Sequence, residues 1–475
     1  MTAPAPPQKV AIVTLGCGRN EVDSENAAGL LAASGYQLVD DPEHADAVLV
    51  NTCAFIEAAK RESIETVLDA AALEQDGRAR KVLVMGCLAE RYTEELRAEL
   101  PEADAVVPFG DYGRLPALLG GAPGRSGGTA PPPAAPVPLV PAGRRALPMV
   151  FPTPAAAAFP ARAPARSPVA MVKLAEGCDR DCSFCAIPGF RGPFRSRRPT
   201  EVLDEVAWLA GQGVSEVCLV AENSTSYGKD LGGREALVHL LRDLAGVEGL
   251  RRVRLNYLQP DELTGGLLEE MAASPVVCSY FDLSLQHAST PVLRRMRRGG
   301  SKAAFLELVQ RIRGLDPDAA FRSNFIVGFP GERAADVREL EDFLEAARLD
   351  WVAFFAWSPE DGTAALSLDR RVPAATARDR VERLQELQDR ILGEVQAGWV
   401  GRELELLVER VEAPHAGAPR AGAAEGRSFR EGVDADGVVR VEDCHARVGD
   451  YLPVVVTAAE GPELVARPSR EAPVP

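Results

Sequence analysis

Three short apolar runs near the start of the chain, Val10–Leu15, Ala47–Asn51 and Lys81–Met85, are each followed two residues later by a cysteine: Cys17, Cys53 and Cys87. Runs of this length read as strands, and the patterns between them, such as Val22–Ser34 and Ala58–Leu73, read as helices. Strand–helix alternation implies βα units and a parallel sheet. In such a sheet the C-terminal ends of all strands lie on one edge. The three cysteines are therefore expected to converge at one mouth. A single such cysteine is ordinarily core packing. Three in the same phase argue for a centre with three thiolate ligands and one open position. Gly16 and Gly86 precede two of them and would let the loop backbone approach closely.

A second group is local. Cys178, Cys182 and Cys185 lie within eight residues, in Glu176-Gly-Cys-Asp-Arg-Asp-Cys-Ser-Phe-Cys185. They follow the first of six further strand candidates: Val169–Leu174, Glu216–Val220, Arg252–Asn256, Tyr280–Leu285, Phe321–Val327 and Trp351–Phe355. Helical patterns separate these runs, including Pro199–Gln212 and Lys302–Gly314, and a long one, Ala374–Gln396, closes the region. Six βα units predict an open or partial (β/α) barrel. Three thiolates with no fourth nearby suit a zinc ion with an open position, for which His287 is a possible extra ligand. They suit equally a four-iron cluster with one iron free for a small molecule.

The fold class is therefore α/β. An N-terminal parallel-sheet domain is expected over 8–120 and a partial barrel over 168–397. Short Gly- and Pro-broken strands (Glu403–Val411, Gly437–Val441 and Tyr451–Thr457) predict a small antiparallel β-barrel over 399–467. The Pro/Ala-rich stretch 121–167 reads as a linker. The net charge of -16 disfavours a protein that coats nucleic acid and suits a basic protein partner. The start lacks a charged segment followed by an apolar one, and no run approaches membrane-spanning length. A reducing cytoplasmic setting is expected, where nine cysteines bind metals more readily than they cross-link. Cys218, Cys278 and Cys444 have no partner pattern and read as packing.

The C-x3-C-x2-C spacing of Cys178, Cys182 and Cys185 resembles the radical S-adenosylmethionine superfamily. With the second trio and the barrel tail, the chain resembles the methylthiotransferase family over nearly its whole length. The matching stretches are Thr14-Leu-Gly-Cys-Gly-Arg-Asn-Glu-Val-Asp-Ser-Glu25, Val50-Asn-Thr-Cys-Ala-Phe-Ile56, Met85-Gly-Cys-Leu-Ala89, Asp282-Leu-Ser-Leu-Gln-His-Ala-Ser289 and Asn324-Phe-Ile-Val-Gly-Phe-Pro-Gly-Glu332. The tail looks like the family's TRAM domain. The resemblance implies two 4Fe-4S clusters, one on Cys17, Cys53 and Cys87 and one on Cys178, Cys182 and Cys185, with S-adenosyl-L-methionine bound at the second. It implies that Phe184, Ile326, Val327 and Gly328 line the adenine site, although barrel core is as good a reading of Ile326.

Glu21-Val-Asp-Ser-Glu25, Ile187-Pro-Gly-Phe-Arg-Gly-Pro-Phe-Arg-Ser-Arg197, Thr225-Ser-Tyr-Gly228, Arg297-Arg-Gly-Gly300 and Gly426-Arg-Ser-Phe-Arg430 look like the branch that modifies the β-carbon of an aspartate in small-subunit ribosomal protein S-twelve. Gly18-Arg19 and Glu222-Asn223 depart from the usual Pro-Lys and Gln-Asp. The partners implied are a basic ribosomal protein, with nucleic acid not expected as the direct substrate, and an electron donor. Residues 399–467 carry 8 Lys+Arg against 13 Asp+Glu, which suits a cationic protein better than phosphates. The alternatives are a tRNA adenosine methylthiotransferase and a non-catalytic metal-binding scaffold. Arg191, Arg195, Arg197 and Arg198 read either as a solvated loop or as a contact to a substrate carboxylate. Arg294, Arg295, Arg297 and Arg298 form a similar run, read either as a substrate contact or as a solvated helix end, and His287 reads as a hydrogen-bonded barrel residue.

Overall fold

A computed structural model describes residues 8–75, 78–79, 81–120, 167–233, 235–412, 422–433 and 435–469. The stretch read as a linker, 121–167, lies outside the described residues apart from Ser167. The chain forms two compact units. The first holds the N-terminal sheet with Glu176–Arg180 and Cys185–Arg195; the second holds the strand ahead of Glu176, Asp181–Phe184 and the chain from Ser196 on.

In the first unit, strands β1 (Lys9–Thr14), β2 (Gln37–Val39), β3 (Ala47–Thr52), β4 (Lys81–Gly86) and β5 (Ala105–Val106) form one parallel sheet in the order β2-β1-β3-β4-β5. Every residue of β3 is buried, as a central strand covered on both faces requires. Helices α1 (Gly18–Ala33) and α2 (Glu57–Ala72) alternate with the strands. The pairing places Val13 beside Val50 and Val50 beside Val84, so β1, β3 and β4 end together. The expected strands are present, each a residue or so displaced at its end.

The second unit contains six parallel strands: β6 (Val169–Lys173), β7 (Glu216–Val220), β8 (Arg252–Leu255), β9 (Tyr280–Gln286), β10 (Ala320–Val327) and β11 (Trp351–Ala356). They form two three-stranded sheets, β6-β7-β8 and β9-β10-β11, joined by bridges Val253–Val277 and Leu258–Leu283. These are the staves of the expected partial barrel, with helices between them. A 24-residue helix, α3 (Ala374–Ala397), follows β11.

The tail is a closed five-stranded barrel of Glu403–Glu412, Gly422–Arg427, Val439–Cys444, Tyr451–Glu460 and Glu463–Pro468. It is antiparallel except where Val439–Cys444 runs parallel to Glu463–Pro468. The barrel is fastened to the six-stranded core by buried ion pairs. Arg427 meets Glu216 at 2.9 Å and Arg430 meets Asp350 at 2.8 Å, while Glu409 of the barrel itself holds Arg427 at 2.6 Å. Arg252 and Arg254 donate to the backbone carbonyls of Arg427, Ser428 and Phe429. Burial alone would raise the Glu216 carboxyl, but Arg427, Arg254 and Arg252 outweigh it and lower it to about 2. Cys218, Cys278 and Cys444 are buried, as expected of packing residues.

Candidate functional site

The first site forms where β1, β3 and β4 end. Cys17 caps the N-terminus of α1, Cys53 directly follows β3, and Cys87 directly follows β4 and opens the short helix Cys87–Arg91. Close approach is built into the backbone. A Cβ on Gly16 would lie 3.0 Å from Cys53 Sγ. Gly86 has φ +96°, and a Cβ there would fall 2.4 Å from the Thr52 carbonyl oxygen, so only glycine fits.

Asn20 ties the edge together. Its Nδ2 donates to the carbonyls of Leu15, at 2.9 Å, and Thr52, at 3.0 Å, while Asn51 Nδ2 donates to the Asn20 carbonyl at 2.7 Å. Ser63 Oγ accepts the Cys53 N–H and donates back to the Cys53 carbonyl. Each of these residues lies on the run before or after a cysteine or on the helix that follows it. The local sequence thus fixes the thiol positions.

The thiols feel one another's charge. Burial raises Cys53 to about 11, with the charges of Cys87 and Cys17 adding to the rise. Burial also raises Cys87, against the pull of Arg191. At Cys17 burial again opposes ionisation, but Arg19 and Arg191 outweigh it and the thiol is lowered. Three soft donors, close enough to interact and flanked by two guanidiniums, fit a cluster that needs thiolates. Among the described residues no three His, Cys, Asp or Glu side chains converge tightly enough to share a single ion. A four-iron cage spaces its thiolates more widely than a single ion such as zinc does.

Arg191 is no solvated loop residue: it is only 4% exposed and belongs to the first site. Its Nη2 lies 3.2 Å from Cys87 Sγ and 3.1 Å from Asn20 Oδ1, and its Nη1 lies 2.9 Å from Glu176 Oε2. Cysteine phase could not have revealed it.

At the second cysteine group, the Cys178 N–H donates to the Gly192 carbonyl at 3.1 Å and the Phe194 N–H to Asp179 Oδ1. Gly177 has φ +76°, and a Cβ there would fall 2.2 Å from the Pro193 carbonyl oxygen. In the second unit, Ser183 donates its N–H to the Met296 carbonyl and its hydroxyl to that of Arg295. Arg298, expected at a basic helix end, is instead buried, with Nη1 3.7 Å from Cys182 Sγ. All three thiols are partly exposed, as ligands of a cluster that must reach a small molecule should be.

Phe184 and Ile326 pack against one apolar cluster of Val292, Met296, Phe329 and Ala365. Val327 is fully buried at the end of β10, where its carbonyl accepts the Trp357 N–H. Gly328 has φ +76° and donates its N–H to Glu332 Oε2 at 2.9 Å. Glu332 also meets Arg380 at 2.6 Å and His287 Nε2 at 3.4 Å. The backbone N–H groups of Ala288 and Ser289 donate to His287 Nδ1, which puts the ring proton on Nε2, facing Glu332. His287 is thus the hydrogen-bonded barrel residue expected. The sequence signal for Glu332 is the run Gly328-Phe-Pro-Gly-Glu332, whose turn brings the carboxylate back onto the Gly328 N–H.

Residues 9–108 match the family described as uncharacterized protein family UPF0004, and residues 172–344 match the radical SAM superfamily. The chain is 49% identical to a ribosomal protein uS12 methylthiotransferase RimO of Nocardioides sp., over 98% of this chain and 99% of that one. It is 47% identical to the protein of that name from Saccharopolyspora erythraea, over 98% and 96%. Among solved structures it is similar to the radical S-adenosylmethionine methyltransferase TsrM from Kitasatospora setae, with cobalamin and a [4Fe-4S] cluster bound. That likeness has a TM-score of 0.46 at 15% identity and covers 87% of this chain and 78% of that one.

Proposed function

The chain belongs to the RimO family of ribosomal protein uS12 methylthiotransferases, and on that premise we propose that it adds a methylthio group to the β-carbon of an aspartate in uS12. The observation that carries this reading is the meeting of Cys17, Cys53 and Cys87 at one edge of one parallel sheet, in a chain that also holds the Cys178, Cys182 and Cys185 loop. Each trio would hold a 4Fe-4S cluster with one iron left for a small ligand. When bound, the clusters and S-adenosyl-L-methionine supply a carbon radical able to take hydrogen from an unactivated C–H bond and the sulfur that replaces it.

The chain's own residues prepare that chemistry. Arg19 and Arg191 favour the thiolate of Cys17, and Arg191 donates to Cys87. Phe184 and Ile326 would flank the adenine, and Glu332 would fix the Val327–Gly328 turn beside it by holding the Gly328 N–H. Residues 8–120 are the sulfur-supplying domain in this reading, 168–397 the radical core and 399–467 the substrate-facing barrel. The protein works in the cytoplasm with an electron donor, on a basic partner. Among the described residues no helix is long and apolar enough to cross a membrane.

The test is mass spectrometry of uS12 from cells with and without the gene. A mass gain of one methylthio group, present only with the gene, is expected. Unmodified uS12 in both, with methylthio-adenosine lost from tRNA in the deletion strain, would overturn the reading.

A further inference from the structure

Arg191 is a buried cation whose guanidinium serves several groups at once. Nη2 donates to Cys87 Sγ and to Asn20 Oδ1 and stands 3.5 Å from Asp23 Oδ2, while Nη1 pairs with Glu176. Its face lies 4.8 Å from the centroid of Phe109. Burying a guanidinium is costly, and an interior of apolar packing would usually serve stability as well. A fork that reaches a sulfur and two carboxylates is therefore better explained by what it does to the sulfur. Arginine suits the task because its planar donors can address several acceptors in fixed geometry, which a lysine ammonium does less well.

The residue arrives on an informative piece of chain. It ends the helix Ile187–Arg191, six residues beyond Cys185, within a segment that packs with the first unit. The peptide that supplies Cys178 and Cys185 to one cysteine group thus delivers the guanidinium to a thiol of the other.

We propose that Arg191 is a positioning residue of the first cysteine site, holding the Cys87 thiolate and raising the reduction potential of the cluster that Cys17, Cys53 and Cys87 would carry. This rests on the functional reading above, and it adds a residue that the trio itself does not identify. Reduction adds an electron to the cage, so a neighbouring cation and an N–H donor to a ligand sulfur favour the reduced form. Removing the guanidinium also leaves Asp23 and Glu176 without its charge, which pushes the potential in the same downward direction.

The test uses the full chain with Cys178, Cys182 and Cys185 changed to Ala, reconstituted without oxygen with ferrous iron and sulfide, so that only the first cluster reports. Iron content and the midpoint potential, followed by electron paramagnetic resonance, are measured for that chain and for its Arg191→Gln and Arg191→Lys forms. The expected result is a lower midpoint in Arg191→Gln at unchanged iron content, with a smaller fall in Arg191→Lys. Loss of iron in Arg191→Gln with retention in Arg191→Lys supports the same role. An unchanged midpoint in Arg191→Gln at full iron overturns it, and so does equal iron loss in both forms, which would mark Arg191 as packing. If the chain with Arg191 intact takes up no iron, the reading of the trio fails instead, and the two failures are distinct.

Discussion

Cys53 is the residue that best separates the two halves of the proposed chemistry. It sits directly after β3, its N–H and carbonyl are held by Ser63, and its sulfur lies beside Gly16 in the first site. Cys53→Ala should therefore abolish methylthio transfer while reductive cleavage of S-adenosylmethionine continues, with iron falling from about eight to about four per chain. Product formed by this variant at wild-type yield would refute the division of labour. Gly328 makes a steric prediction. An alanine there must adopt φ +76° and place its Cβ 2.5 Å from that of Ala377 on α3. Gly328→Ala should lose about 1–3 kcal/mol of stability in urea denaturation and weaken S-adenosylmethionine binding, because the turn cannot keep its place. Binding and stability equal to the parent's would show that the turn has room to spare. The cysteines of the first site were legible because parallel strands impose a fixed phase on whatever follows them. Arg191 was not, because its partner Asn20 is 171 residues distant in the chain and no local pattern encodes such a contact.

At the scale of elements, the segment Gly426–Arg430 is one of those that look like the ribosomal branch, and the structure shows its physical work. It fastens the barrel to the core through Arg427 and Arg430. Removing one member of a buried pair strands its partners, so Arg427→Ala should cost about 3–5 kcal/mol. Arg440→Ala, which breaks a half-exposed pair with Glu463, should cost about 1 kcal/mol or less. Similar urea midpoints for both variants would contradict the lock. The same pairs set an acid limit. The folded Glu216 is held at about 2, below the usual glutamate value of ~4.3 in an unfolded chain. A depressed carboxyl stabilises fully above the unfolded value and loses that stabilisation as pH falls toward the folded one. Unfolding free energy should therefore decline between about pH 5 and pH 2, and Glu216→Gln should flatten that slope. The six core strands and the helix α3 were readable because buried parallel strands are near-continuous apolar runs and long helices keep their period. Two barrel strands, Gly422–Arg427 and Glu463–Pro468, were not, since Gly-Ala-Ala-Glu-Gly-Arg has little intrinsic preference for a strand and is held there by its neighbours.

Across the whole molecule, the charge distribution bears on how a substrate is met. The chain carries a net -16, and the barrel shares that acidic bias. Its exposed carboxylates, Glu403, Glu405, Glu412, Glu442, Asp443, Asp450 and Glu460, outnumber its exposed arginines, Arg402, Arg410, Arg440, Arg447 and Arg467, while Arg427, Arg430 and Glu431 are buried. A cationic ribosomal protein would be drawn to this face by long-range attraction, and salt shortens that range from ~8 Å at 0.15 M to ~3 Å at 1 M. Raising salt should therefore weaken uS12 binding by roughly tenfold or more, mainly by slowing association rather than by hastening release. Cleavage of S-adenosylmethionine without uS12 should respond far less, because it needs no encounter with a charged macromolecule and the proposed adenine-side groups Glu332, Gly328 and Val327 lie buried. Stopped-flow binding and deoxyadenosine release, measured across the same salt series, separate the two. If association proves indifferent to salt while cleavage tracks it, the acidic barrel is not what recruits the substrate.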